Sequence, residues 1–278
     1  MRENFLDRFG RKLNIGLSHR GVALMETRGL FKTRCASLAE REAEEAKLHE
    51  PEKIAALLRS ALKESRFEKL PATIVLDDAL TRMWMVKPPH NPTQLSDCEA
   101  AAAQRFSTLY GESPAAWKIA ADWSASRPFL ACAIPLMLEQ LLRQVAREHR
   151  LGLIEIVPHF VSSWNRWHAT FSDAAWFGIL HDGVLTVAAI HEEQLHSIRT
   201  EAVAAPALGD PSWLPAYLAR EAMRLNLPVP GQIRLCGAVP AGWLKKTGSF
   251  DCVRLDGSIR LPGENLSASA MLAASGLQ

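Results

Sequence analysis

The sequence predicts a mixed α/β protein built from two related halves. Two observations carry this. Leu13–Leu17 and Val22–Glu26 are short apolar runs joined by the polar turn Ser18-His19-Arg20-Gly21, the pattern of a β-hairpin. The pattern returns in the second half, as Trp176–Leu180, the turn His181-Asp182-Gly183, and Val184–Ile190. Each half is expected to open on a hairpin whose turn faces a shared cleft.

Composition narrows the class. The 278 residues are 48% hydrophobic and 22% charged with a net charge of +2, values ordinary for a globular chain of one or two domains. No polybasic run points to nucleic acid. No apolar run reaches the ~20 residues that span a bilayer. Met1–Phe5 is charged and lacks a signal-peptide core. The five cysteines, Cys35, Cys98, Cys132, Cys236 and Cys252, are scattered without a CxxC, which suits a reducing cytoplasm.

The elements follow in order. Residues 1–12 are polar, anchored only by Phe5, Leu6 and Phe9. Phe31–Leu38 reads as a third strand, and the charge-dense Ala39–Lys53 as a solvated loop or exposed helix. Behind Pro51, Ile54, Leu57, Leu58, Ala61 and Leu62 form one helical stripe. Ala72–Leu76 is a buried strand, Asp77-Asp78 a turn, and Thr81–Val86 a strand ended by Pro88 and Pro89. Ser96-Asp97-Cys98-Glu99 has capping-box form and opens a helix that reaches Gly111. Strands Trp117–Trp123 and Phe129–Ile134 follow. Pro135 opens a helix with Leu138, Leu141, Leu142 and Val145 inward and Gly152 as its stop. Leu153–Val157 is a strand and Val161–Phe171 a helix. After the second hairpin come a strand near Leu195–Thr200 and a small-residue linker, Ala202–Gly209. Asp210-Pro211 caps a helix with Leu214, Tyr217, Leu218 and Leu225 inward. Gly231–Gly237 and Asp251–Leu255 are strands, Pro240–Lys246 a short helix, and Ser267–Ala274 a terminal helix.

Motifs for chemistry are scarce. There is no GxSxG, HExxH, GxxxxGK[ST] or GxGxxG. No two of the nine histidines have the i, i+4 spacing of a helical ligand pair, and no metal site is assigned. His191 and His196 flank a predicted hairpin turn and read as surface or half-buried histidines. Asp77-Asp78 at a strand end reads as a turn before it reads as an acid–base pair. Trp164 and Trp167, at i, i+3 beside Arg166, read as core rather than as a binding ridge.

Four stretches, Asn14-Ile15-Gly16-Leu17 with its turn, Ala72–Leu76 with Thr81–Pro88, Leu136–Val157 with Pro158, and Ile233–Gly237, resemble in order and spacing the actin-like ATPase superfamily. Within it the chain is similar to the type IV pilus assembly protein PilM and to the cytoplasmic part of the type II secretion protein GspL. The resemblance implies a two-lobed actin-like (ribonuclease H-like) α/β fold with mixed sheets flanked by helices. It places the first lobe at 1–172 with an inserted subdomain at about 81–123. The second lobe is 173–278, whose C-terminal segment returns to the first.

Departures from the family pattern bear on function. The first phosphate hairpin of nucleotide-binding members has an aspartate and small residues whose amides cradle phosphate. Here Ser18, His19, Arg20 and Gly21 stand there. The second phosphate loop shrinks to His181, Asp182 and Gly183. The adenosine loop keeps Gly237, followed by Ala238-Val239-Pro240, where side chains and a proline hinder close approach. The expected protein is therefore a non-catalytic scaffold without a cofactor or metal, cytoplasmic and peripheral to the inner membrane. The resemblance implies that it serves a type IV pilus or type II secretion-like platform. By the resemblance its partner is the cytoplasmic segment of a single-span, PilN-like membrane protein. Since GspL-like proteins continue into a membrane helix, the separate-subunit arrangement is expected. Partner contacts are expected in the insert, at Arg82, Met83, Trp84, Met85, Phe106, Leu109 and Tyr110. Strand alternation leaves Met83 and Met85 or Arg82 and Trp84 exposed. The alternatives are an ATP-binding actin-like ATPase or kinase with a divergent site, and a free-standing enzyme using Asp77, Asp78 or the histidines. A homo-oligomeric state is left open.

Overall fold

The computed structural model describes residues 10–29, 34–43, 50–65, 67–171, 175–246, 248–255 and 267–276. The predicted N-terminal arm with Phe5, Leu6 and Phe9, and residues 44–49 of the charged stretch, lie outside the described residues.

The chain opens with β1 (Lys12–Leu17), β2 (Gly21–Arg28), β3 (Arg34–Glu42), α1 (Pro51–Ser65) and β4 (Pro71–Leu76). Next come β5 (Arg82–Val86), α2 (Leu95–Tyr110), β6 (Trp117–Ala121) and β7 (Phe129–Pro135). They are followed by α3 (Leu136–Glu148), β8 (Gly152–Pro158), α4 (His159–Trp167), β9 (Trp176–His181), β10 (Val184–His191) and β11 (Gln194–Ala202). The chain closes with α5 (Ala205–Gly209), α6 (Trp213–Leu225), β12 (Gln232–Gly237), β13 (Asp251–Arg254) and α7 (Ala268–Ser275).

Two five-stranded sheets share one topology. The first has the order β3-β2-β1-β4-β8 and the second β11-β10-β9-β12-β13. In both, the three sequential strands pair antiparallel, and the two later strands add in parallel beside the first. The related halves inferred from the paired hairpins are thus the same sheet built twice.

Packing divides the described chain into two compact units. One takes 10–81, 134–166 and 267–276; the other takes 82–133 and 167–255. The insert therefore groups with the second unit, whereas the sequence reading places 81–123 in the first lobe. The reason is that β5 runs beside β11.

In the first unit, Leu13, Ile15 and Leu17 of β1 share a core with Ile54, Leu58 and Leu62 of α1 and Leu138, Leu142 and Val145 of α3. The opposite face is covered by α7, with Ala270 and Ala273 against Ala23 and Met25. With helices on both faces, β1, β2 and β4 read as continuous apolar runs. Gly16 lies under α7, where a Cβ would stand 2.2 Å from the Ser269 carbonyl oxygen and 2.5 Å from the Ala273 nitrogen. The small residues Ser269, Ala270 and Ala273 let the helix backbone come this close.

In the second unit, Leu214, Tyr217, Leu218 and Ala222 of α6 pack on Leu185, Val187, Ile233 and Leu235. Trp213 is stacked between Tyr217, at 5.0 Å, and Trp243, at 5.5 Å. The insert is a three-stranded sheet, β5-β7-β6, covered by α2.

Several boundaries differ from the sequence reading. Ala39–Glu42 continues strand β3 instead of forming a loop. The cap of α2 is Gln94, two residues before the expected Ser96. Asp97 closes the box, accepting from the backbone N–H of Thr93 at 2.7 Å and of Gln94 at 3.1 Å. Those hydrogen bonds hold its carboxyl below the usual carboxylate range. Helix α3 ends at Glu148, before Gly152, and Arg150 supplies the left-handed residue at φ +53°. Pro240–Lys246 is a series of turns, not a helix. Trp243 Nε1–H there donates to the Ala207 carbonyl at 3.1 Å.

Candidate functional site

The first hairpin turn is closed on itself. Ser18 is buried, and its Oγ accepts from the backbone N–H of Arg20 at 3.1 Å and of Gly21 at 3.2 Å. The Ser18 N–H donates to the Gly21 carbonyl at 3.0 Å. A phosphate bound here would need these amides, and each already has an acceptor within the turn. The Arg20 carbonyl accepts from Ala43 N–H at 2.8 Å and the Leu17 carbonyl from Asp77 N–H at 2.9 Å, which pins the turn to the ends of β3 and β4.

The second hairpin is tighter. His181 pairs with Val184, leaving only Asp182 and Gly183 as the loop, at φ +50° and +74°. These are the two left-handed positions of a primed turn, which favours Asp-Gly. The Gly183 carbonyl accepts from Val203 N–H at 2.7 Å. At the third position Gly237 has φ +91°, and a Cβ there would stand 2.2 Å from the Leu180 carbonyl oxygen. The same oxygen takes the Ala238 N–H at 2.9 Å. Gly237 is a glycine because of β9.

Both acidic residues after β4 act as caps. Asp77 Oδ1 accepts from Ala79 N–H at 3.1 Å, and Asp78 Oδ1 from Phe160 N–H at 2.9 Å, in the first turn of α4. His159 opens α4 and is buried, while His168 is exposed. Trp164 is half-buried and stacks on Phe160 at 6.3 Å. Burial pushes the Cys252 thiol up to about 11, so it is not a thiolate at neutral pH. Among the described residues no three His, Cys, Asp or Glu side chains form a metal-ligand group.

The insert separates the expected partner residues. β5 and β7 pair in register, Met83 with Cys132, Trp84 with Ala131, Met85 with Leu130 and Val86 with Phe129. Trp84, Val86, Phe129 and Ala131 form the core under α2 with Phe106. Trp84 is 2% exposed, and its ring lies 5.2 Å from Phe106 and 6.1 Å from Tyr110. Phe106 is fully buried and Met83 is buried, with its carbonyl accepting from the Tyr110 hydroxyl at 2.9 Å. Arg82 lies over the rings of Tyr110 and Trp117, 5.5 and 5.3 Å from their centroids, and 3.6 Å from a Glu112 carboxylate oxygen. The expectation that one alternating set would stand exposed is therefore corrected. Trp84 and Met83 are both buried, while Arg82 and Met85 are half-buried. Leu109 is 45% exposed. Leu130, missed from the sequence, lies on the sheet face away from α2 beside Met85 and is also half-buried. Its signal was the alternation along Phe129–Ile134.

Two sheets of identical order, each led by a hairpin and flanked by helices, with a small subdomain inserted after β4, define the actin-like class of fold. Solved structures share it. A chain of the PilM–PilN type IV pilus biogenesis complex matches with a TM-score of 0.63 and 13% identity over 88% of each chain. A Bacteroides thetaiotaomicron protein of actin-like ATPase fold and unknown function matches with 0.63 and 11% identity, covering 98% of this chain and 99% of that one. The cytoplasmic domain of EpsL, an inner-membrane component of the Vibrio cholerae type II secretion system, gives 0.59 and 7% identity, over 96% and 95%. At such identities the likeness establishes the fold, and the resemblance drawn from the sequence holds at that level. No protein-family profile matches the chain, and no curated protein sequence does. Among the described residues no helix is long and apolar enough to cross a membrane.

Proposed function

We propose that this chain is a non-catalytic scaffold of a type IV pilus or type II secretion-like assembly platform. It sits at the cytoplasmic face of the inner membrane and binds the cytoplasmic segment of a single-span, PilN-like protein. The fold shared with a chain of the PilM–PilN complex and with the EpsL cytoplasmic domain supports the setting. One observation carries the loss of nucleotide chemistry: Ser18 Oγ occupies the amides of Arg20 and Gly21. Calorimetric titration with ATP and magnesium is expected to be flat. A dissociation constant below about 100 µM, or ~5.5 kcal/mol of binding, would overturn this part of the reading.

The docking surface we assign to the insert is Met85 with Leu130, on the sheet face away from α2. Methionine adapts its shape to a bound segment. Trp84 and Phe106, expected as contacts, serve the core instead. The test is a pull-down with the cytoplasmic tail of the single-span membrane protein encoded beside this one. Met85→Glu and Leu130→Glu should each retain less than about a tenth of the tail held by wild type, ~1.4 kcal/mol of affinity, with an unchanged circular dichroism spectrum. Full retention by both folded variants rejects this surface.

A further inference from the structure

The tip of the β10–β11 hairpin holds two imidazoles together by two separate irregularities. A register shift falls after Ala189, which pairs with Ser197, while Ile190 pairs with Leu195. His196 is thereby the extra residue of a β-bulge, a device that re-aims a side chain. His191 pairs with Gln194, so the loop is only Glu192 and Glu193. Both adopt left-handed backbone, at φ +51° and +58°, where asparagine or glycine is favoured. A longer loop would avoid that strain but would free the strand ends. The two features together bring the rings of His191 and His196 to 6.1 Å between centroids, with planes at 87°.

We propose that His191 and His196 form a two-imidazole site for a divalent first-row transition ion such as Zn2+ or Cu2+. Bonds of about 2.0–2.1 Å to the ion place each ring centre about 3.2 Å from it. Two such rings at a tetrahedral angle have centres about 5.2 Å apart, and at a wider angle up to about 6.4 Å. The observed spacing lies near the wide end of that range, and rotation of both side chains would aim the two lone pairs at one ion. His196 is exposed and His191 half-buried, so an ion reaches the pair from solvent. Among the described residues no group of three or more potential ligands exists, so water or an added donor fills the remaining positions. That makes the site labile rather than structural. Imidazole prefers Cu2+ and Zn2+ over Mg2+ and Ca2+, and Cu2+ over Zn2+.

The untagged full chain should be titrated by calorimetry with CuCl2, ZnCl2 and MgCl2. One equivalent of Cu2+ is expected to bind, Zn2+ more weakly and Mg2+ not at all. His191→Ala and His196→Ala should each weaken Cu2+ at least ten-fold, and His196→Gln likewise, with the metal-free spectra unchanged. Absence of Cu2+ binding by wild type overturns the site. So does undiminished binding by the folded double variant His191→Ala/His196→Ala, since the ion would then sit elsewhere.

Discussion

Gly16→Ala should destabilise the protein by about 3 kcal/mol, although alanine ordinarily stabilises a strand or a flexible chain relative to glycine. The favourable terms are small. Reduced freedom of the unfolded chain contributes at most about 1 kcal/mol. Against it stands a methyl group 2.2 Å from the Ser269 oxygen, 2.5 Å from the Ala273 nitrogen and 2.7 Å from the Leu272 Cβ. Two of these are backbone atoms of α7 and cannot rotate away. Either the strand distorts or the helix lifts, and lifting it uncovers Ala23, Met25, Ala270 and Ala273. Urea denaturation measures the loss, and hydrogen exchange locates it. The amides of 268–275 should lose protection first. A variant within about 0.5 kcal/mol of wild type would mean that α7 is not seated on β1.

The second large effect is in the insert. Phe106→Ala and Trp84→Ala should each cost about 3–5 kcal/mol, the range for removing a buried aromatic ring. Phe106 lies 5.2 Å from Trp84, 5.1 Å from Tyr110 and 5.4 Å from Trp117, so its removal opens a void that three other rings share. Strand β5, which carries Trp84, runs beside β11, so disruption of the cluster should be felt there as well. Leu109→Ala, on the exposed side of the same helix, should change stability by no more than about 0.5 kcal/mol. Thermal and chemical denaturation of the three variants separates the cases. Equal costs at Phe106 and Leu109 would contradict the packing of α2. The contrast also matters for partner binding. A tail lost from Trp84→Ala would report a damaged insert, whereas one lost from Met85→Glu would report the surface.

The Asp182-Gly183 hairpin was legible because its determinants are adjacent residues: a two-residue primed turn needs left-handed backbone, and Asp-Gly supplies it. The stripes of α1 and α3 were legible for the same reason, since residues at i, i+3 and i+4 share a face whatever lies opposite. Leu58 and Leu142 are buried as the spacing predicts. The cap of α2 slipped by two residues because the capping role of Asp97 depends on how the chain enters from Thr93 and Gln94. The turns at 240–246 replace a helix because Trp243 is stacked on Trp213, a contact that no local propensity describes. The resemblance implies that Ser18 stands where nucleotide-binding members have an aspartate. That its hydroxyl takes the neighbouring amides needed the folded turn.

Sequence by itself determined the paired hairpins, the helical stripes, and the bulky residues His19 and Arg20 in the first turn. These are matters of residue type and spacings of two to four positions. Tertiary structure decided what lies across each face. It made Gly16 the seat of a helix more than 250 residues away, buried both Trp84 and Met83 while leaving Met85 half-buried, and carried the insert to β11. Alternation states that two faces of a strand differ, but not which is covered. The covering element is chosen by the burial of apolar surface between segments far apart in the chain, which leaves no periodic trace in either one.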